Sequence, residues 1–591
     1  MSLTPPPSPV LWDETGLPRS RLFDDVYFSS VDGLEESRAV FLTGCDLPQA
    51  WGGRGRFVVG ELGFGSGLNI LALLDLWRRT REPGARLQIF SIEAYPMPTQ
   101  DAARVLAHWP DLSDLAGPMI ARWPGRARGF HRVAFPELNA VLDLAVMDAA
   151  QALADWRGAA DAWFLDGFSP AANPGMWSAE VLAGVARRSA PGARAATFTV
   201  AGAVRRGLAD QGFAVEKRPG FGRKRERLEA VLPGPRPTEQ PPPRVAIIGA
   251  GIAGAALARA FAALGAAPTV IEAARPGAGA SGNPAGLVMP RLDAGGGAVA
   301  QLYAQAFARA GDLYRATPGA VIASGATQIE TGPKDPDRFD RIADSDLFEP
   351  GAVTRLPDRG LAFEDALVVE PPAILTAWLG QTEPSIQAHV VGLRLEGAAW
   401  SLLDAQGQVI ARAEVVCLAG GLAIRDLAPD ALLTAVRGQV SLARGATPPR
   451  ALIGAGYLIP TRDGLLFGAT HDRDQTATEV RAEDHTRNLA LLAQVDPDLA
   501  SSLTDQALDG RAGVRAATPD FLPLAGPLPG RAGLFILSGL GSRGLCAAPL
   551  LAEHVAALAL GAPSPLPAPL AEIVDPDRFE KRRARIGRPR V

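Results

Sequence analysis

Cysteine is scarce in this chain. Its 591 residues hold three, Cys45, Cys417 and Cys546, far apart and without CxxC spacing. That excludes a disulfide framework and a cysteine-based zinc site, and a reducing compartment suits it. Excess charge of one sign is missing too. A formal net charge of -4 gives no global field for nucleic acid, so any RNA contact has to come from a local basic patch. No run reaches 18 uninterrupted apolar residues. The N-terminal MSLTPPPSPVLWDETG has neither a basic n-region nor an apolar h-region, which excludes a membrane span and a secretion signal of the usual kind. Nor is there an internal repeat. These absences together predict a cytoplasmic protein with no membrane partner and no metal.

What is present begins with length, since 591 residues suffice for two or more domains with large cores. Prolines crowd into VLPGPRPTEQPPPRV at 231–245, where no hydrophobic period survives. The chain is therefore divided into a first domain at 1–232, a linker at 233–243 and a second domain at 244–560. GAPSPLPAPL at 561–570 then detaches a basic tail, so 561–591 is read as a proline-rich stretch followed by that tail.

Each domain carries a glycine loop. In the first, RFVVGEL reads as a strand, GFGSG as a turn, LNILALLDLWRR as a helix and RLQIFSIEA as a strand ending in Glu93. In such a βαβ unit glycine lets the backbone approach a ligand, and an acid closing the second strand can accept both ribose hydroxyls. Gly63, Gly65, Gly67 and Glu93 are thus cofactor candidates. The loop is GxGxG preceded by Glu61, which favours S-adenosylmethionine over a dinucleotide. Two further strands end in acids: LDLAVMDAA in Asp148, facing the adenine amino group, and DAWFLDG in Asp166. GFAVEKRPG and RERLEAVLP close the domain as an antiparallel hairpin. The fold class is α/β, a class I Rossmann-like methyltransferase sheet.

DDVYFSSVDGLEESRAVFL, GELGFGSGLN, DGFSPAANPGMW and RPGFGRKRE together resemble the methyltransferase half of the bifunctional tRNA 5-methylaminomethyl-2-thiouridine biosynthesis family. The likeness spans most of residues 20–232, departing at Gly44-Cys45, where Gly-Asn is expected. It implies methylation of an aminomethyl group on the wobble uridine of tRNA. Asp166 then accepts the amine's N–H and its proton, and Phe168 stacks on or walls the uracil. The competing reading has Asp166 capping the turn before Ser169-Pro170.

The second loop lies in RVAIIGAGIAGAALARAFAALGAAPTVIEAA at 244–274. Gly249, Gly251 and Gly254 serve the tight turn, the approach to pyrophosphate and helix packing, and Glu272 holds the ribose. GxGxxG by itself does not separate NAD from FAD. GASGNPAGLVMPRL, with Ser281 and Asn283, supplies a small-residue loop able to run beside pyrophosphate and isoalloxazine. LFILSGLGSRGLCAAPLL puts Gly541, Ser542, Arg543 and Gly544 at a helix N-terminus facing the flavin. With AEVVCLAGGLA this resembles the D-amino-acid-oxidase-like FAD oxidoreductases and the other half of the same bifunctional family. The expected architecture is an FAD-binding domain interleaved with a mixed-sheet substrate domain.

The resemblance implies oxidative removal of a carboxymethyl group, and Arg515 matches the arginine that binds substrate carboxylate. Arg437, His471, Arg473 and Arg543 are weaker candidates for lining the cleft. Contact with the tRNA anticodon arm is assigned to ARWPGRARGFHRV at 121–133, RPGFGRKRER at 218–227 and RFEKRRARIGRPRV at 578–591, with Trp123, Phe130 and His131 available to stack an unpaired base. A rival reading is a small-molecule amine oxidase fused to a methyltransferase without RNA. A non-catalytic nucleotide-sensing pair is another.

Overall fold

The computed structural model describes residues 9–14, 16–28, 32–125, 127–222, 224–236, 241–357, 360–380, 384–446 and 450–586. Part of the linker, Arg126, Arg223 and the last five residues of the basic tail lie outside these. The chain forms two compact units, Met1–Pro241 and Pro242–Val591.

The first unit is built on an eight-stranded sheet. Arg56–Leu62 lies at its centre, apolar and buried on both faces as a covered parallel strand must be. Arg86–Glu93 pairs with it on one side and Ala160–Leu165 on the other, all parallel. The strand order reverses at this central strand, so a crevice opens beyond its C-terminal end. Helix Leu68–Thr80 follows the glycine loop, and its Arg78 and Arg79 in the last turn complement the helix dipole. Glu226–Val231 returns antiparallel to Ser189–Thr197 and pairs with Ala214–Pro219, the hairpin expected from the sequence.

One element differs from the sequence reading. Gly129–Phe135, taken as part of a basic RNA-binding run, is a strand antiparallel to Ala140–Val146. Phe130 and Trp123 point into the core, where Trp123 donates its indole N–H to the Met97 carbonyl at 2.7 Å and Phe130 packs on Phe90. Arg132 is locked to Asp143 at 2.7 Å. Neither aromatic can stack a base from there, because each already spends its surface on the core.

The second unit contains a six-stranded sheet in the order Pro384–Gln387, Thr269–Glu272, Val245–Ile248, Val415–Leu418, Leu534–Ser538 and Leu524–Pro527. All pairs are parallel except the last. Helices Ile252–Ala263 and Gly544–Ala559 contribute to one large core with this sheet. Between these strands the chain leaves to build a ten-stranded mixed sheet, in which Thr434–Arg444 pairs with Asp509–Ala517. The two sheets are thus interleaved in sequence.

The proline-rich stretch at 561–570 does not detach the tail. Leu566, Leu570 and Val574 are buried in the same core as the six-stranded sheet. Helix Arg578–Ile586 follows, with Arg578 buried against Asp520 at 2.9 Å and Arg582 on the same carboxylate at 2.8 Å. The prolines fix the path of a packed segment, and ion pairing removes Arg578 from any RNA surface.

Among the described residues no helix is long and apolar enough to cross a membrane. Each unit owns a complete sheet and separate hydrophobic clusters. Expressed separately, residues 1–241 and 242–591 are expected to give two cooperatively unfolding fragments, monitored by far-UV circular dichroism against urea. A fragment without a cooperative transition would show that the unit depends on its partner.

Candidate active sites

In the first unit Gly63, Gly65 and Gly67 all have left-handed backbone, with φ of 75°, 53° and 74°. A Cβ on Gly63 would lie 2.9 Å from the Gly167 Cα, and one on Gly67 would lie 2.6 Å from the Met119 Cε. No other residue fits this turn without displacing its neighbours. Glu93 braces the loop from the end of the next strand. One carboxylate oxygen accepts from the Gly65 N–H at 3.0 Å and the other from the Tyr95 N–H at 2.9 Å. Burial raises the Glu93 carboxyl above the usual carboxylate range.

A cavity of about 60 Å³ opens here. Gly63, Gly65, Glu93, Asp166 and Phe168 border it together with Tyr27. The Phe168 ring stacks on Phe23 at 4.9 Å and meets Tyr27 edge-on at 5.3 Å. Asp25 accepts the Ser169 N–H at 2.9 Å, tying the N-terminal segment to the loop after Asp166. The quoted string DDVYF therefore supplies part of the site wall, a role its residues did not announce individually.

Asp166 is half-buried at the end of Ala160–Leu165 and accepts a hydrogen bond from the Asn69 amide at 2.8 Å. Ser37 donates to the Asn69 carbonyl oxygen at 2.6 Å and so fixes which face of the amide Asp166 meets. Burial pushes the Asp166 carboxyl up to about 6, against the opposing pull of Asn69 and the Gly167 backbone. A carboxylate so placed is ionised near neutral pH yet basic enough to take a proton. Asn69 was not singled out from the sequence, since an amide in a helix's first turn carries no signal of its own.

Two expected contact residues, Glu61 and Asp148, lie outside the lining of this small cavity. Glu61 is fully buried and lies outside the cavity lining; Ser91 donates its hydroxyl to it. Asp148 is exposed and accepts from the Ala150 and Gln151 N–H groups, capping helix Ala149–Asp155. It too is outside the cavity lining. Cys45, at the departure from the family string, is a core residue whose thiol is pushed up to about 12 by burial.

The second unit holds a cavity of about 660 Å³, within the range that encloses a cofactor-sized ligand. Gly249 and Gly251 border it at one end with Glu272, Ser281 and Asn283. A Cβ on Gly249 would lie 2.7 Å from the Gly420 Cα. Gly254 does not line the cavity; a side chain there would strike the Gly249 carbonyl, so it permits the helix to approach the strand. Glu272 accepts from the Ala250 N–H at 2.7 Å, and Ser281 accepts from the Ile252 N–H at 3.0 Å. Arg511, unremarked in the sequence, donates to the Asn283 side chain at 2.9 Å and to the carbonyls of Gly277, Ala278 and Gly279, fastening the small-residue loop.

At the other end lie Gly541, Ser542, Arg543 and Gly544, where a short 3-10 turn leads into helix Gly544–Ala559. Burial lowers the Arg543 guanidinium below its ordinary range. Arg515 projects into the same cavity with Tyr457 and His471. Its guanidinium has no protein acceptor among the described residues, although a cation in a cleft strongly favours one. Burial, with Arg515 and Arg473 nearby, lowers the His471 imidazole below its ordinary value.

Arg437 is not a cleft residue. It is fully buried, paired with Asp484 at 2.6 Å and donating to the Ala477 and Glu479 carbonyls. On a strand the register decides the face. Arg437 opposes Val514 and Arg515 opposes Val436, so the two arginines face opposite sides of the sheet. Arg473 is exposed and outside the cavity lining.

Glycines without room for Cβ and an acid at the end of each second strand fit S-adenosylmethionine in the first unit and FAD in the second. Residues 110–233 match the model of the S-adenosyl-L-methionine-dependent methyltransferase family, and residues 244–558 match that of the FAD dependent oxidoreductases. Over 585 residues the chain is 58% identical to the tRNA 5-methylaminomethyl-2-thiouridine biosynthesis bifunctional protein MnmC of Caulobacter vibrioides, covering 97% of this chain and 98% of that protein. The protein of the same name from Maricaulis maris is 42% identical, with 98% and 97% covered. Iminodiacetate oxidase from Chelativorans sp. superposes with a TM-score of 0.48 at 25% identity, covering 56% of this chain and 99% of that one.

The buried Glu61 carboxyl, pushed up to about 8 by burial, generates a pH effect. Its folded value exceeds its unfolded one, so its contribution to stability is full at acid pH and is lost as pH rises between roughly 4.3 and about 8. Glu61→Gln is expected to flatten this decline in urea titrations of the first unit, with parallel curves for the two proteins as the contrary result.

Proposed function

The chain belongs to the family of tRNA 5-methylaminomethyl-2-thiouridine biosynthesis bifunctional proteins, and from that membership we propose that its two cavities act in succession on the wobble uridine of tRNA in the cytoplasm. The second unit removes the carboxymethyl group from 5-carboxymethylaminomethyl-(2-thio)uridine. The first unit methylates the aminomethyl group that remains. The observation that carries the order of steps is Arg515, a guanidinium without a protein acceptor among the described residues, in the larger cavity. Only the first substrate has a carboxylate to meet it.

Bound FAD supplies the two-electron oxidation of the N–CH2 bond beside the carboxylate. Gly249, Gly251, Ser281 and Asn283 are proposed to receive its pyrophosphate side, Glu272 its ribose, and the segment from Gly541 through Ser542 and Arg543 to Gly544 its ring. Arg515 orients the substrate by two parallel N–H donors, which a carboxylate accepts as a fork. With its imidazole held below the ordinary value, His471 is neutral near pH 7 and adds no rival cation for that carboxylate. Hydrolysis of the C=N bond so formed would free the amine and release the two-carbon fragment as glyoxylate.

S-adenosylmethionine would supply an electrophilic methyl group to the amine, and Gly63, Gly65, Gly67 and Glu93 would hold that cofactor, with Asp148 at its adenine end. Methyl transfer requires a neutral amine lone pair, while the free aminomethyl group is largely protonated at neutral pH. Asp166, held by the Asn69 amide, takes the amine's proton on its carboxylate. Phe168, braced by Phe23 and Tyr27, walls the uracil. Asp25 holds the loop between them.

Asp166→Asn is expected to slow methylation of aminomethyl tRNA by about 100- to 10,000-fold while retaining S-adenosylmethionine. In the wild type the rate should climb as pH rises through about 6, the carboxylate being the active form; the variant should lack that limb. Unchanged turnover at neutral pH would reduce Asp166 to a turn residue.

Arg515→Met should weaken the carboxymethylated tRNA by about 2–5 kcal/mol, read as flavin reduction without oxygen. Methylation of tRNA that already carries the aminomethyl group should be untouched, and lysine should rescue poorly because it lacks the fork. Normal flavin reduction in the methionine variant would remove Arg515 from the site.

A further inference from the structure

Phe521 is 52% exposed, one of the few large apolar side chains left in solvent. Its backbone is left-handed, with φ of 58°, a conformation unfavourable for a bulky residue. The loop is held in place from outside. Asp520 accepts from Arg578 at 2.9 and 3.0 Å, from Arg582 at 2.8 Å and from Thr518 at 3.1 Å, while the Leu522 side chain takes the neighbouring place in the core. The basic segment near the C-terminus thus props up an aromatic ring that contributes little to the core. Strain held this firmly is a mark of use.

Arg473 lies with its guanidinium 5.4 Å from the Phe521 ring centroid. It is exposed and has no carboxylate or carbonyl partner among the described residues. Sheet register ties this pair to the oxidoreductase cavity. Val436 opposes Arg515 on one side and Arg473 on the other, so the three side chains share one face of the sheet. Arg473 and Arg515 stand two strand spacings apart, roughly 10 Å. His471, on the same face two residues from Arg473, lines the cavity itself. At the other side of the loop, the Thr518 Cγ2 packs at the cavity-lining Gly539.

We infer that Phe521 and Arg473 form a stacking platform at the mouth of the oxidoreductase cavity for an unpaired nucleobase next to the modified uridine. This rests on the reading that the cavity takes the wobble uridine. A flat ring and a planar guanidinium each offer a face to any base, and an uncommitted cation beside them can meet the adjoining phosphate. The platform does not read base identity, which suits an enzyme whose target nucleotide is chosen by its own side chain.

The test uses the full-length holoenzyme and tRNA carrying 5-carboxymethylaminomethyluridine. Phe521→Ala should raise the half-saturating tRNA concentration for anaerobic flavin reduction by about 5- to 150-fold, leaving the limiting rate and the methylation of aminomethyl tRNA unchanged. Phe521→Trp should retain wild-type saturation. In a synthetic anticodon stem-loop with abasic sites on both sides of the modified uridine, wild type and Phe521→Ala should saturate alike. An unaltered half-saturation in Phe521→Ala overturns the proposal, as does an undiminished defect on the abasic stem-loop, which would make Phe521 a structural residue. Failure of the wild-type enzyme to reduce its flavin with this tRNA would instead overturn the reading of the cavity on which the platform depends.

Discussion

The active geometry of both units depends on a close passage of backbone against backbone. In the first unit the turn after Arg56–Leu62 runs against Gly167, and a Cβ on Gly63 would sit 2.9 Å from its Cα. In the second, the turn after Val245–Ile248 runs against Gly420, with a corresponding distance of 2.7 Å from Gly249. Each contact joins the first strand's loop to the loop of the parallel strand beside it. The two sheets have met the same demand, which is to leave a crevice at the strand ends that glycine backbone can approach closely. Because Gly167 follows Asp166, the passage that shapes the cofactor loop of the first unit also sets the position of the proton acceptor proposed there.

Around that constraint the two sites use charge differently. The first isolates carboxyls: Glu61 and Asp166 are both raised by burial, and Asn69 bonds to Asp166 without neutralising it. The second gathers cations, with Arg515 and Arg543 in the cavity, while burial lowers the His471 imidazole. The contrast follows the substrates proposed for each. A protonated amine needs somewhere to leave its proton, and a carboxylate needs a fixed counter-charge.

Much of this architecture is legible in the sequence because apolar runs and glycine turns report backbone requirements directly. RFVVGEL and RLQIFSIEA become the central strands within a residue of their apparent limits, and GFAVEKRPG with RERLEAVLP pairs as the hairpin it resembles. Arginine-rich stretches are the ones that misled. In ARWPGRARGFHRV the last five residues open an edge strand in which Phe130 goes inward and Arg132 is satisfied by Asp143, while Trp123 is buried ahead of it. In VRGQV the arginine lies on the face opposite Arg515 and is consumed by Asp484. Composition cannot tell a solvated arginine from a paired one, since the partner is distant in sequence: Arg578 finds Asp520 58 residues away. The Asn69–Asp166 contact, spanning 97 residues, is hidden for the same reason.

The buried proline-rich segment bears on how the protein is made. Strands of the FAD-type sheet come from both ends of their unit, from Val245–Ile248 to Leu534–Ser538, and Leu566, Leu570 and Val574 complete the same core. During translation the first unit has all its strands by Val231 and can close while the ribosome is still elongating. The second cannot close until more than three hundred further residues have emerged, an order that favours slow, late consolidation. A ribosome stalled or terminated just short of the last helices would release a chain with a finished methyltransferase-type unit and an oxidoreductase unit whose apolar interior stays open to proteases and chaperones.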